Sequence, residues 1–178
     1  MLCYRDGDAG AFDALYARHK GGLYRYLLRQ CRNAQAAEEL FQDVWMNLIR
    51  ARAGYTVQAK FTTYLYRLAH NRLIDLYRRN AHATVTSFED EDCEALAELP
   101  DEREQPAADA LDTKRQAARL LELLAGLPEA QREAFLLQQE GGMSVEEIAR
   151  ATGVTRETAK SRLRYAMGKL RQGMREWR

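Results

Sequence analysis

The chain has 178 residues, 46% hydrophobic and 30% charged, which suits one ordinary domain or two small ones and argues against wholesale disorder. Ala, Leu, Glu, Arg and Gln dominate while Val/Ile/Thr runs are few, so an all-β fold is excluded. The net charge of +1 hides a segregation: 13 basic against 7 acidic residues over 1–82, one against 11 over 83–113, and 13 against 8 over 114–178. Two basic blocks joined by an acidic one point to two nucleic-acid-facing modules and a linker.

Phe12, Leu15, Tyr16, His19, Leu23 and Leu27 recur at helical spacing and predict a first helix over 11–30, with Gly21 and Gly22 as a candidate kink. Asn33 is the expected N-cap of a second helix. In it Ala37, Leu40, Phe41, Val44, Trp45, Leu48 and Ile49 keep an i, i+3, i+4 beat, opposite a polar set of Glu38, Glu39, Gln42, Asp43 and Asn47. A Gly54-containing loop leads to a third helix over 62–79. Its projection places Phe61, Leu65, Leu68 and Leu76 on a core face, and Lys60, Tyr64, Arg67, Asn71 and Arg78 in one arc elsewhere. Cations neutralise phosphate and aromatics stack on bases, so such an arc suits single-stranded DNA; an ordinary solvated helix face is the competing reading.

The segment TVTSFEDEDCEALAELPDEREQP holds Pro100 and Pro106 and no helical period, and its like charges repel. It reads as an extended, flexible acidic linker, either a solvated spacer or an element with a role of its own.

Beyond it, Leu127-Pro128-Glu129 opens a helix and Gly141-Gly142 closes it. Ser144-Val145-Glu146-Glu147 has the form of a capping box starting a short helix with Ile148 and Ala149 inward. Gly153 ends that helix and Thr155 caps the next, whose inward residues are Ala159, Leu163, Ala166 and Leu170. A short helix, a glycine turn and a longer helix make a helix-turn-helix. Arg156, Glu157, Lys160, Ser161 and Arg164 then face outward, with groups able to read guanine and cytosine in a major groove. A helical hairpin that does not bind DNA is the lesser alternative. The fold class expected is all-α: two small helical domains, a flexible acidic linker, and a helix-turn-helix in the second domain.

No stretch approaches the ~18 apolar residues of a membrane span, and MLCYRDGDAG lacks a signal-peptide core. Cys3, Cys31 and Cys93, like His19, His70 and His82, fall in no ligand spacing, so neither a disulfide framework nor a metal site is expected. No phosphate loop or nucleophile motif occurs, and neither a cofactor nor catalysis is expected. The expected location is the cytoplasm.

Four stretches, GDAGAFDALYARH, AAEELFQDVWMNLIRAR, KFTTYLYRLAHNRLIDLYRRN and LPEAQREAFLLQQEGGMSVEEIARATGVTRETAKSRLRYAMGKLR, resemble in order the extracytoplasmic-function sigma factors of bacterial RNA polymerase. The resemblance implies sigma region two over 8–82, a linker over 83–111 and region four over 112–178. It implies a surface for the polymerase β′ coiled coil at Leu40, Gln42, Asp43 and Asn47. It implies capture of the promoter −10 element by the loop over 53–60 with Tyr55, together with Lys60, Tyr64, Arg67, Asn71 and Arg78. Tyr64 stands where the family often has Trp, and members usually carry a further helical turn before the Gly7-Asp8 pair.

For region four it implies reading of the −35 element by Thr158, Lys160, Ser161 and Arg164, phosphate contacts from Arg156 and Arg162, and contact with the β flap. The linker would run toward the RNA exit path as an electrostatic stand-in for RNA. Other implied partners are promoter DNA and an anti-sigma factor, often membrane-anchored, which would hold the chain near the inner membrane; no small-molecule substrate is implied. A second function class stays open: a free-standing helix-turn-helix regulator whose N-terminal domain senses a ligand or dimerises. A helical RNA-binding enzyme or anti-terminator has no catalytic motif to support it.

Overall fold

The computed structural model describes residues 1–83 and 107–177. These form eight α-helices and one 3-10 turn, and no strand occurs among the described residues. The acidic stretch over 84–106 lies outside them.

A short α1 (Leu2–Arg5) precedes α2 (Ala9–Cys31), where the Asp8 carboxylate accepts a hydrogen bond from Ala11 N–H at 3.2 Å and caps the helix. Gly21 and Gly22 do not interrupt α2, which runs on to a left-handed C-cap at Arg32 (φ 57°). Asn33 then caps α3 (Ala34–Arg50) as its sequence position predicts, accepting from Ala36 N–H at 2.8 Å. The α2–α3 hairpin closes on aromatic rings. Trp45 lies 5.0 Å from Tyr16 and 5.8 Å from Phe12, centroid to centroid, both edge-on, the arrangement that ring quadrupoles favour.

After a single 3-10 turn (Arg52–Gly54), α4 (Phe61–Ala83) packs across this hairpin. Its buried residues are Thr63, Leu65, Tyr66, Ala69 and Leu73, whereas Phe61, Leu68 and Leu76 are only half-buried. The core face expected from periodicity is therefore rotated, and the reason is tertiary. α4 is covered on one side by α2 and α3 and on another by α6 and α7, so two of its faces leave solvent. Ile49, expected in the core, is instead 38% exposed at the end of α3.

The C-terminal half comprises α5 (Ala107–Ala125), α6 (Glu129–Gly141), α7 (Val145–Thr152) and α8 (Arg156–Glu176). α5 begins inside the stretch expected to be linker: its first residues are Ala, Asp and Leu, good enough helix material once Leu120, Leu121, Leu123 and Leu124 anchor the far end on α8. Leu124, Leu127, Ala166 and Leu170 are buried together there. α8 and α5 approach closely at Gly173, where a Cβ would clash with the Leu123 side chain.

The two halves are not separate beads. One continuous core runs from Leu23, Tyr26, Leu27, Leu65 and Tyr66 of the first half to Leu136, Leu137, Met143 and Ile148 of the second. Full burial of each such side chain contributes about 1.5–3 kcal/mol. α2 packs on α6, and α4 packs on α6 and α7. No helix among the described residues is long and apolar enough to cross a membrane, and no cluster of three metal-ligating side chains occurs among them. Cys3 is exposed, and the Cys31 thiol donates to the Asn33 carbonyl at 3.3 Å.

Candidate nucleic-acid and protein interfaces

The α4 arc and the preceding loop meet at a cleft of about 1030 Å³. Tyr55, Tyr64, Arg67 and Asn71 line it, joined by Arg50 from the end of α3 and Arg150 from α7. Arg67 and Asn71 are exposed, Tyr64 is half-buried, and Tyr55 is buried at 7%. Tyr55 therefore forms part of the cleft wall. Its ring packs edge-on against Tyr64 at 5.2 Å. Burial pushes both phenols above the ordinary tyrosine range, so each remains a neutral hydrogen-bonding group.

The loop is braced from outside. Tyr55 N–H donates to Arg52 C=O at 3.2 Å, Arg5 Nη1 donates to Tyr55 C=O at 3.4 Å, and the Arg52 guanidinium sits 5.1 Å over the Tyr4 ring. Lys60 stands exposed at the loop's end, while Arg78 is exposed farther along α4 and does not line the cleft. Arg50 and Arg150 escaped the sequence reading because one closes a helix on another element and the other arrives from the opposite half of the chain. A cleft with cations on its rim, tyrosines in its wall and an amide within reach is equipped to stack and hydrogen-bond an unpaired base.

A second surface lies on α3. Glu38, Glu39, Gln42 and Asp43 are exposed and Asn47 is half-buried. Gln42 Nε2 donates to Glu38 Oε1 at 3.4 Å and Gln35 Nε2 to Glu39 Oε1 at 3.3 Å, so the ridge is ordered by its own i, i+4 pairs. Leu40, read from the sequence as part of this surface, is 3% exposed and packs inward, so it supports the ridge from behind. In its place the structure presents Met46 at 45% exposure, along with Ile49. An apolar centre beside a charged rim is the make-up of a protein-binding patch. The i, i+3, i+4 beat hid it, because Ile49 fits the apolar pattern yet stands exposed in the last turn of α3.

The third surface is the helix-turn-helix. Ser144 and Glu147 complete a reciprocal capping box: Glu147 N–H donates to Ser144 Oγ at 3.3 Å and Ser144 N–H donates to Glu147 Oε2 at 2.9 Å. Gly153 takes the left-handed conformation the turn requires (φ 68°), and Thr155 caps α8 by accepting from Thr158 N–H at 3.2 Å. Ala159, Leu163, Ala166 and Leu170 are buried, as their spacing predicts.

Thr158, Lys160 and Arg164 are exposed, whereas Ser161 and Arg162 are half-buried on the flank. Arg156 is exposed but engaged: it pairs with Glu146 of α7 and with Glu157. The Arg156 hydrogen bond holds the Glu146 carboxyl down to about 2, well below the usual carboxylate range. Arg156 thus ties α7 to α8 and has part of its charge neutralised, leaving Lys160 and Arg164 as the exposed cations in the middle of the helix face.

The comparisons with known proteins agree with these elements. Residues 15–83 match the family described as Sigma-70 region 2, and residues 117–170 match Sigma-70, region 4. The ECF RNA polymerase sigma factor RpoE of Cereibacter sphaeroides is 33% identical over 98% of this chain and 92% of its own. The ferric citrate uptake sigma factor FecI of Escherichia coli is 31% identical over 84% and 82% of the two chains. Among solved structures, the sigma factor RpoE of Bartonella quintana, in complex with the anti-sigma factor NepR, superposes with a TM-score of 0.72. It is 20% identical and covers 93% of this chain and 97% of that one, so it speaks to the fold. CnrH, in complex with the cytosolic domain of CnrY, gives a TM-score of 0.64 at 23% identity, covering 94% and 90%.

Proposed function

The chain belongs to the extracytoplasmic-function sigma factors of RNA polymerase, and from that membership we propose a division of labour among the three surfaces. As a sigma factor it directs promoter-specific transcription initiation. The α3 ridge of Gln42, Asp43 and Asn47, with Met46 and Ile49 beside it, docks on core polymerase at the β′ coiled coil. The α4 cleft with Tyr64, Arg67 and Asn71 captures the unpaired −10 strand, with Lys60 at the end of the preceding loop and Arg78 farther along α4 meeting backbone. Thr158, Lys160, Ser161 and Arg164 of α8 read the −35 duplex, and Arg162 contacts phosphate at its flank. The β flap is met by other faces of the C-terminal half. The protein works in the cytoplasm, as a binding subunit rather than a catalyst, under an anti-sigma factor that covers these surfaces.

The observation that carries this division is the pairing of two different nucleic-acid surfaces on one chain. One is a tyrosine-walled cleft suited to single strands, the other an exposed cationic helix suited to a major groove. A regulator that only binds duplex has no use for the first. The test is reconstitution: the purified chain mixed with core polymerase is expected to co-elute with it and to start transcripts at a defined position downstream of paired −35 and −10 elements. Tight, sequence-specific duplex binding without core, and no transcription with it, would overturn the reading in favour of a free-standing regulator.

A further inference from the structure

The exposed face of α8 is positive, with one carboxylate set into its start. The helix carries seven Lys and Arg against two acids, Glu157 in the first turn and Glu176 at the far end. The Glu157 side chain is 75% exposed. Arg164, one heptad on, is exposed as well, and a straight helix drifts by only about 20° over a heptad. The two side chains therefore share one line along the helix, opposite the buried stripe of Ala159, Leu163, Ala166 and Leu170.

Both are braced. Arg156 Nη1 donates to Glu157 Oε1 at 3.3 Å, and Arg156 Nε donates to Glu146 of α7. One guanidinium thus fixes Glu157 to the helix on the other side of the turn, while Thr155 caps the turn in which Glu157 sits. Glu157 Oε2 has no partner among the described residues. The Arg164 guanidinium lies 5.0 Å over the Tyr165 ring, a cation–π contact. Side chains held in this way lose little freedom when they bind.

A carboxylate on a surface that meets DNA is repelled by the phosphates, so it is unfavourable there unless a base edge offers it a hydrogen. In the major groove guanine shows the acceptors N7 and O6, and thymine the acceptor O4. Adenine shows an N6 donor beside an N7 acceptor, whereas cytosine shows its N4 donor alone. Cytosine is the base whose own edge suits a carboxylate without an acceptor next to the donor.

We propose that Glu157 is a specificity-determining residue of the −35 site: its carboxylate accepts from cytosine N4, and Arg156, tied to Glu146, is the positioning residue that aims it. With α8 lying along the groove, Arg164 is two turns farther on, roughly 10 Å, and reads a guanine about three base pairs away. The carboxylate acts in two senses, favouring one base pair and weakening attachment to every duplex that lacks it. The proposal rests on the duplex-reading assignment of α8 given above.

The test uses the holoenzyme, the full chain bound to core polymerase, selected on promoter duplexes randomised over the −35 element and then sequenced. Wild type is expected to prefer cytosine about tenfold at one position and guanine at another. Glu157→Gln keeps the shape but pairs bidentately with adenine N6 and N7, so the preference at the first position is expected to move from cytosine to adenine while the guanine position holds. Glu157→Ala is expected to flatten the first position and to tighten binding to duplex of unrelated sequence. Arg156→Ala is expected to weaken the cytosine preference at that position alone. Glu157 and Arg156 are both exposed, so no packed side chain is lost in any of these variants.

An unchanged base profile in both Glu157 variants would overturn the proposal and leave α8 as the duplex reader. A wild-type holoenzyme without base preference across the element would remove the duplex-reading assignment itself, and the proposal with it. An even loss over all positions in Arg156→Ala would assign that side chain to phosphate and end its positioning role.

Discussion

Glu147 serves Ser144 and Lys60 at once: Oε2 accepts the Ser144 N–H at 2.9 Å, and Oε1 lies 3.0 Å from Lys60 Nζ on the other half of the chain. The Ser144 hydrogen bond holds its carboxyl below the ordinary range against the opposing pull of burial, and Lys60 adds to the effect. The same side chain therefore begins the helix-turn-helix and ties it to the loop before α4.

The two duties separate by substitution. Glu147→Gln keeps an oxygen for the Ser144 N–H and loses the charge toward Lys60, whereas Glu147→Ala loses both. A cap is worth about 1 kcal/mol, so the Ala variant is expected to be destabilised by roughly that amount and the Gln variant by less. Denaturant unfolding with unchanged slope is the measurement, and equal losses in the two variants would show that the capping box contributes little.

Lys160 and Arg164 stand exposed on the face of α8 that would enter a major groove. Alanine at either is expected to weaken binding of the −35 duplex by about 1–3 kcal/mol and to relax base preference at one or two positions. Competition between randomised duplexes checks both effects. A uniform loss across all sequences, with a reduced salt slope, would mark these residues as phosphate contacts instead.

Arg67 and Asn71 line the cleft. Ala at each is expected to slow promoter opening while leaving duplex binding intact, since contacts to an unpaired base operate only after melting. A template with a pre-opened bubble at the −10 element is expected to recover most of the opening defect. Wild-type opening rates on closed promoters would remove α4 from strand capture.

Asp43 is exposed on the α3 ridge and Met46 is nearly half exposed beside it. Asp43→Arg reverses a charge at the rim, and Met46→Ala removes the apolar centre. Each is expected to leave helicity unchanged and to weaken association with core polymerase, the charge reversal by a few kcal/mol, as misplaced interfacial charges do. Titration by fluorescence polarisation measures this, and unaltered affinity in both would move the docking surface elsewhere.

Several elements with a local signal were legible in the chain of letters alone, although the Asp8 cap of α2 and the short α1 were not read. The Asn33 cap, the Ser144–Glu147 box, the Gly153 turn, the Thr155 cap and the inward set Ala159, Leu163, Ala166 and Leu170 all act within a few residues of one another, so their chemistry is written in adjacent letters. Of the arc of Lys60, Tyr64, Arg67, Asn71 and Arg78, the folded chain brings Tyr64, Arg67 and Asn71 to one cleft, while Lys60 and Arg78 do not line it. The features that had to wait for the folded chain depend on partners distant in sequence. Tyr55 and Leu40 are polar-tipped or apolar residues that pattern alone could place on either side of the surface, and packing sent both inward.

Arg150 joins a cleft built mainly from residues 50–71, and Glu133 finds Tyr26 and His70 across separations of 107 and 63 residues. No periodicity carries such a pairing, because helical repeat reports which face of a helix is apolar, not which other helix will cover it. α4 shows the consequence most plainly: its residue pattern names one core face, and the arrival of a second half of the chain buries another.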